Sequence, residues 1–143
     1  DPETFSRCVL NWNKRREAQH KSLAGLYTSL IRLRRSIPAL REPRLDRISI
    51  NGRNNDAVLE LMRWSPGDRV VALCNVSPHE EEVRLDLPGT GWTRLLHTAD
   101  RQWDGPGSEV PEHPRRDERV HLAGSSMALL RLGSQGDSES VGQ

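Results

Sequence analysis

The hydrophobic positions follow two different periods along the chain, and the period changes near residue 40. Between residues 17 and 37, seven large apolar side chains recur at spacings of three and four: Leu23, Leu26, Tyr27, Leu30, Ile31, Leu33 and Ile37. This spacing predicts an amphipathic α-helix that carries all seven on one face. Pro38 predicts the end of that helix, because the residue before a proline disfavours helical geometry.

From residue 48 onward, apolar and polar residues alternate, which predicts β-strands. The predicted strands cover residues 48–50, 58–64, 70–76, 83–87, 92–97, 120–122 and 127–132. The nearly continuous apolar run in 70–76 predicts a central strand that is covered on both faces. Asn51-Gly52 is a strong hairpin signal and predicts the first turn. Short strands with turn residues between them indicate a small antiparallel sandwich or barrel.

The predicted fold is therefore mainly β: a small antiparallel β-sandwich preceded by one long amphipathic α-helix. Residues 1–40 form an amino-terminal loop and the helix, 41–132 the β domain, and the Gly-, Ser- and acid-rich residues 133–143 a disordered tail. A helix of this length is marginal alone in water. Burial of its seven apolar side chains would contribute about 10–20 kcal/mol, so the stripe requires a partner surface. Either the β domain covers this stripe or protein outside this chain does, and we expect the second.

Composition narrows the possible partners. The 143 residues are 34% hydrophobic and 29% charged, with a net charge of +1, which does not favour binding to polyanions such as nucleic acids. No apolar run approaches the roughly 20 residues of a membrane span, and none predicts a signal peptide. Two cysteines, Cys8 and Cys74, are too few for a disulfide scaffold, so a reducing, cytoplasmic location is expected.

The sequence is poor in catalytic motifs. His79-Glu80-Glu81-Glu82 lacks the second histidine of a metalloprotease motif, and the other four histidines have no ligand spacing. Neither a metal nor a cofactor is predicted. Asp100, Asp104 and Glu109 share the long loop 98–118, but an arginine-rich solvated loop is a poor place to raise a carboxyl pKa by desolvation. No catalytic residue is predicted.

Trp103 is the most interesting aromatic residue. It lies in the polar loop segment 100–105 and is predicted to be exposed. An aromatic face beside carboxylates can stack on a sugar ring and accept hydrogen bonds from its hydroxyls. Sugar contact and simple loop packing both remain open for Trp103.

The amino-terminal segment carries a family resemblance. Residues 1–12 read Asp1-Pro2-Glu3-Thr4-Phe5-Ser6-Arg7-Cys8-Val9-Leu10-Asn11-Trp12. They resemble the Asp-Pro…Thr-Phe…Asp-Trp segment of the malto-oligosyltrehalose trehalohydrolases, members of the α-amylase superfamily. Residues 20–40 are similar to the eighth helix of the family's barrel and its exit. Residues 68–77, 95–100 and 125–132 are similar to its carboxy-terminal β domain. The helix and the last of these strands are also shared with glycogen branching and debranching enzymes.

The resemblance implies a part of an enzyme rather than a whole one. It makes residues 17–37 the last helix of a β/α barrel, and it places the family's catalytic carboxylates upstream of residue 1. The partner it implies is the barrel domain of the parent glycoside hydrolase, with α-glucan as a further partner. Asp1, Phe5 and Trp12 would lie at the edge of the substrate cleft of the parent. The alternative functions are a carbohydrate-binding module, with Trp103 as its contact, and an interaction domain of another α-amylase-family enzyme such as a glycogen branching or debranching enzyme.

Overall fold

The computed structural model describes residues 3, 7–9, 11–42 and 44–133, without the side chains of Arg15 and Gln19. A 3₁₀ turn at Trp12–Arg16 leads into helix α1 (Ala18–Ser36), and a short helix α2 (Pro38–Arg41) follows. Seven strands are present in the described part: β1 (Ile48–Arg53), β2 (Val58–Ser65), β3 (Asp68–Asn75), β4 (Glu81–Arg84), β5 (Trp92–His97), β6 (Arg119–Leu122) and β7 (Ser126–Leu132). The mainly β, antiparallel fold class predicted from the sequence is confirmed. The predicted tail 134–143 lies outside the described residues, as do Asp1 and Phe5.

Helix α1 ends where the sequence predicts. Ile37 has extended backbone angles, φ −100° and ψ 117°, and its N–H still donates to the Leu33 carbonyl. Pro38 then occupies the first position of α2, where its missing N–H has no intrahelical partner to lose. The N–H of Ala39 donates to the buried Asp68 carboxylate at 3.1 Å, which anchors the helical corner to the start of β3.

The strands form two layers. The larger sheet has the order β1-β2-β3-β7-β5, with all its pairs antiparallel, and the smaller one pairs β4 with β6. One face of the larger sheet is buried against the smaller sheet in a cluster that includes Val71, Leu73, Val83, Trp92, Val120 and Leu130. This cluster is the core of the predicted sandwich.

The other face of the larger sheet is covered by the helices. Val70, Leu96 and Leu129 pack there with Ile37 and Ala39, and Leu26, Leu30 and Leu33 of α1 lie against the same cluster. β3 therefore sends Val71 and Leu73 into one core and Val70 and Ala72 into the other. Its continuous apolar run, which predicted a central strand, follows from burial on both faces.

The predicted Asn51-Gly52 turn is wrong. Both residues lie inside β1, where Asn51 pairs with Glu60 and Gly52 with Leu59. The chain turns instead at Asn54, Asn55 and Asp56, whose φ angles of 51°, 53° and 65° lie in the left-handed region. Asn and Asp tolerate this region better than other non-glycine residues, so three in a row outweigh the Asn-Gly signal. Gly52 has another role: a Cβ there would lie 1.7 Å from Asp56 Oδ1.

None of the helices in the described part of the chain has the length and apolar character that a membrane span requires.

Candidate functional site

The apolar stripe of α1 is divided between two surfaces. At about 100° per residue, the six of these positions that lie within α1 span about 160° of the helix circumference, which is more than one contact surface covers. Ile37 is buried, and Leu26, Leu30 and Leu33 are partly buried against the sheet. Leu23, Tyr27 and Ile31 are 51%, 60% and 50% exposed. The single face predicted from the sequence is thus two faces, of which the β domain covers one.

The uncovered face continues into the segment before the helix. Trp12 is 69% exposed and Val9 is 68% exposed, and both line an open groove of about 560 Å³ together with Leu23, Ala24 and Tyr27. The 3₁₀ turn that carries Trp12 begins at Asn11, whose side-chain oxygen accepts the Asn13 N–H at 3.1 Å. Scattered apolar residues on a surface are ordinary, but a contiguous set around a groove is typical of a contact surface. We call Val9, Trp12, Leu23, Tyr27 and Ile31 the open face.

Polar groups frame the open face without filling it. Asn11, Lys14 and His20 line the same groove, and Arg32 and Arg35 border a second hollow beside Ile31. The open face therefore has a polar rim and an apolar, aromatic centre, which is the usual composition of a protein contact surface. No carboxylate is among the residues lining either hollow, so neither offers the acid pair that glycoside hydrolysis requires.

Trp103 lies on a different side of α1 and is not exposed as predicted. It ends the 3₁₀ turn Arg101–Trp103, and its ring packs against the helix-covered cluster of the sheet. A Cβ built on Gly25 would lie 3.2 Å from Trp103 Cζ3, so the ring touches the helix backbone. Its Nε1 is buried without a hydrogen-bond acceptor among the described residues. Loop packing is the role these contacts show, and sugar contact at Trp103 remains a prediction.

The loop that carries Trp103 is held in place by a buried histidine. His97 is fully buried; its Nδ1 lies 2.6 Å from Ser108 Oγ and its Nε2 lies 3.1 Å from Ser126 Oγ. Ser126 Oγ donates to the Ala123 carbonyl at 2.6 Å and therefore accepts from Nε2–H. Ser108 Oγ is 3.4 Å from the Val110 carbonyl but only 2.6 Å from Nδ1, so its proton goes to Nδ1. Burial lowers the pKa of His97, an effect that Asp100 opposes and Arg94 reinforces. The imidazole is therefore a neutral structural tie between β5, the loop and β7.

Two of the three loop acids that the sequence predicts to be solvated have structural roles. Asp100 forms an ion pair with Arg94 at 2.8 Å and accepts the His97 N–H at 3.3 Å. Asp104 ends the 3₁₀ turn in a left-handed conformation, with φ 62°. Structural contacts therefore explain two of the three carboxylates, and neither needs a catalytic role. Glu109 lies elsewhere, in a polar cleft that also contains Glu80 and His121.

The structure brings some of the predicted site residues into one groove and leaves others apart. Trp12 lies beside Leu23 and Tyr27. The sequence predicts these two residues only as part of the helix stripe. Trp12 and Trp103 contact different sides of α1 and form no common site. Asp1 and Phe5 lie outside the described residues.

Comparison with known proteins finds malto-oligosyltrehalose trehalohydrolases among the relatives of this chain. Malto-oligosyltrehalose trehalohydrolase from Rhizobium sp. (strain M-11) is 38% identical over 112 residues, which are 78% of this chain and 17% of the relative. The trehalohydrolase of Mycobacterium tuberculosis (strain H37Rv) is 39% identical over 131 residues, 92% of this chain and 19% of the relative. This chain resembles malto-oligosyltrehalose trehalohydrolase. It spans less than a fifth of the length of these two trehalohydrolases.

A branching enzyme and two solved structures also match this chain. The 1,4-α-glucan branching enzyme of Paramagnetospirillum magneticum is 30% identical over 105 residues, 67% of this chain and 14% of that enzyme. Isomaltulose synthase from Erwinia rhapontici NX5 superimposes with a TM-score of 0.55 at 17% identity, over 75% of this chain and 17% of that one. Trehalulose synthase MutB gives 0.53 at 15% identity, over 76% and 17%. These structures share the fold with this trehalohydrolase-like chain. No family model matches it.

Proposed function

We propose that this chain is the non-catalytic carboxy-terminal portion of a malto-oligosyltrehalose trehalohydrolase, and that the open face of α1 packs on the catalytic barrel of the same polypeptide. The observation that carries the proposal is the division of α1. One side of the helix is covered by the β domain, while Leu23, Tyr27 and Ile31 remain half or more exposed on the other. A helix in that position joins two bodies and is shared between their cores.

The energetics support a protein partner for the open face. Full burial of a large apolar side chain contributes about 1.5–3 kcal/mol, so the half still exposed on each of the three helix residues is worth about 1 kcal/mol. Trp12, at 69% exposure, adds a large aromatic surface to the same groove. The proposed partner is the barrel domain of such an enzyme. In support, this chain matches less than a fifth of each trehalohydrolase, so most of each of these relatives lies outside the match.

In the intact enzyme, hydrolysis of malto-oligosyltrehalose would then be carried by carboxylates outside the described residues. The proposed division is an amino-terminal loop and last barrel helix in 1–40, and a β domain in 41–132. Asp1, Phe5 and Trp12 would edge the α-glucan cleft in the parent. The chain alone should release no trehalose from malto-oligosyltrehalose, and hydrolysis by the purified chain would contradict this assignment.

A chimera tests the proposal with two matched isoleucines. The segment of the Rhizobium trehalohydrolase that matches this chain is replaced by this chain, and trehalose release from malto-oligosyltrehalose is measured. The chimera should be active. Ile31→Asp should lower the yield of active enzyme at least tenfold, since it would bury an unpaired carboxylate against the barrel. Ile50→Asp should leave the yield within about twofold, because Ile50 is 60% exposed on the edge strand β1. Equal effects of the two substitutions would contradict the proposal.

The branching-enzyme match provides a second candidate parent within the same superfamily. The same replacement made in the Paramagnetospirillum branching enzyme separates the two. A trehalohydrolase origin predicts that this chain restores most of the activity of the trehalohydrolase host and little of the branching host. The reverse result would assign the chain to a branching enzyme.

A further inference from the structure

A polar cleft on the side of the β domain collects three metal-ligating side chains from separate segments. Glu80 precedes β4, Glu109 lies in the loop after β5, and His121 lies on β6. One ligand atom from each of the three residues lies within 4.8 Å of the others. They line a cleft of about 600 Å³. Among the residues that the structure describes, this is a group with the composition and the spacing of a cation site.

Two of the three side chains are already in contact. His121 Nδ1 lies 3.0 Å from Glu80 Oε1. Two ligands bound at about 2.1 Å to a tetrahedral zinc ion lie about 3.4 Å apart. Glu109 is exposed, and its ligand atom lies within 4.8 Å of the other two, so a side-chain movement of about 1.4 Å or less would bring its carboxylate to the same distance.

The other ring nitrogen of His121 faces a carboxylate as well. Nε2 lies 3.6 Å from Glu82 Oε2, and the strand register pairs Glu82 directly with His121. Arg119 holds the other oxygen of Glu82 at 2.7 Å, which fixes that carboxylate beside the ring. A carboxylate on the far side of a ligating imidazole orients the ring and raises its basicity in many metal sites.

The surrounding charge permits a cation. Arg94 lines the cleft but is paired with Asp100 at 2.8 Å, and Arg119 is paired with Glu82. Arg101 is the other arginine among the lining residues, and the two carboxylates of Glu80 and Glu109 outnumber it. Two carboxylates and an imidazole are a ligand set suited to a divalent first-row metal, with zinc near the top of the affinity series.

We propose that Glu80, Glu109 and His121 form a binding site for a divalent transition-metal ion of the zinc type. Such an ion clamps the β4–β6 sheet to the loop 98–118, and through that loop it stabilises the contact of Trp103 with α1. The proposal does not depend on the identity of the parent enzyme, since all three ligands lie within the β domain.

Calorimetric titration of the whole chain with Zn²⁺ tests the site. The expected result is saturable binding of one ion per chain and a rise of a few degrees in the melting temperature. His121→Ala and Glu109→Gln should each lower the affinity at least tenfold. Both residues lie at the surface, so circular dichroism should show that the variants are folded.

Two controls separate this site from adventitious binding. His113→Ala removes an exposed histidine of the same loop, and Cys8→Ser removes the exposed thiol, itself a zinc ligand. Neither should change the affinity by more than about twofold. Titration with Co²⁺ should give a visible absorption band that is lost in His121→Ala. The absence of saturable Zn²⁺ binding, binding that survives His121→Ala, or binding that disappears in Cys8→Ser would overturn the proposal.

Discussion

The two sides of α1 carry similar side chains but have different surroundings. On the covered side, Leu30 and Leu33 lie against β3, β5 and β7 through the cluster of Val70, Leu96 and Leu129. On the open face, Tyr27 and Ile31 are at least half exposed. Sequence alone does not distinguish them, because both sides satisfy the same three-and-four spacing. The difference shows that an apolar stripe wider than one contact surface indicates two partners rather than one.

The largest expected effect comes from comparing two isoleucines of the helical segment. Ile37→Ala should lower the free energy of unfolding of this chain by about 2–4 kcal/mol, since Ile37 is 2% exposed and its removal leaves a cavity. Ile31→Ala should change it by less than about 0.5 kcal/mol, because Ile31 is already half exposed and alanine is a better helix former. Urea unfolding of both variants measures the difference.

The comparison becomes sharper in the chimeric enzyme. There, Ile31→Ala should become destabilising by about 1–2 kcal/mol, while the effect of Ile37→Ala should stay the same. If Ile31→Ala were as damaging as Ile37→Ala in this chain alone, the open face would already be covered in solution.

Much of this architecture could be predicted from the sequence, since it depends on local rules. The bounds of α1 follow from spacing and from Pro38, and the central position of β3 follows from its apolar run. The resemblance to trehalohydrolases also came from the sequence and is confirmed by the 38–39% identities. The first hairpin was misplaced because two competing turn signals lie within six residues, and only pairing with β2 decides between them.

Features that depend on contacts between distant residues could not be predicted. Glu80 and His121 are 41 positions apart and meet because β4 and β6 pair in one particular register. The sequence predicts Trp103 to be an exposed loop residue. The residues next to it in sequence give no sign that its ring contacts the helix at Gly25, where there is no side chain to exclude it. Gly25 is the one signal that could have been found. A glycine in the middle of a long amphipathic helix costs about 1 kcal/mol and indicates a close approach.

The second expected effect is a pH dependence arising at His97, which pairs with Ala128 and so lies on the sandwich face of the larger sheet, opposite the helices. Burial lowers the pKa of His97 in the folded chain relative to its ordinary value of 6.5. The unfolded chain therefore takes up a proton at a higher pH than the folded one, so stability is greatest above pH 6.5 and decreases as the pH falls below it. Protonation would make both ring nitrogens donors, and Ser108 would have to turn its hydroxyl away from Nδ1.

His97→Asn tests this dependence. Asparagine can keep a polar atom near Ser108 but cannot titrate in this range. The slope of unfolding free energy against pH between 7.5 and 5 should be shallower in His97→Asn than in the native chain, and unchanged in the exposed control His113→Asn. Parallel slopes for the native chain and His97→Asn would show that another group causes the acid sensitivity.

The smallest expected effect on stability is at the contact between Gly25 of α1 and Trp103 of the loop. Alanine in place of a mid-helix glycine normally stabilises by about 1 kcal/mol. At Gly25 the new Cβ would lie 3.2 Å from Trp103 Cζ3, closer than such contacts normally are, so the ring must move. Gly25→Ala should therefore give little or no gain in the native chain and about 1 kcal/mol in a Trp103→Leu background. The unfolding free energies of the four proteins in this double-mutant cycle give the coupling directly. A coupling near zero would mean that the Trp103 ring does not press on the helix. Because Leu23 and Tyr27 lie away from Trp103, the covered side of α1 would then end at Leu26.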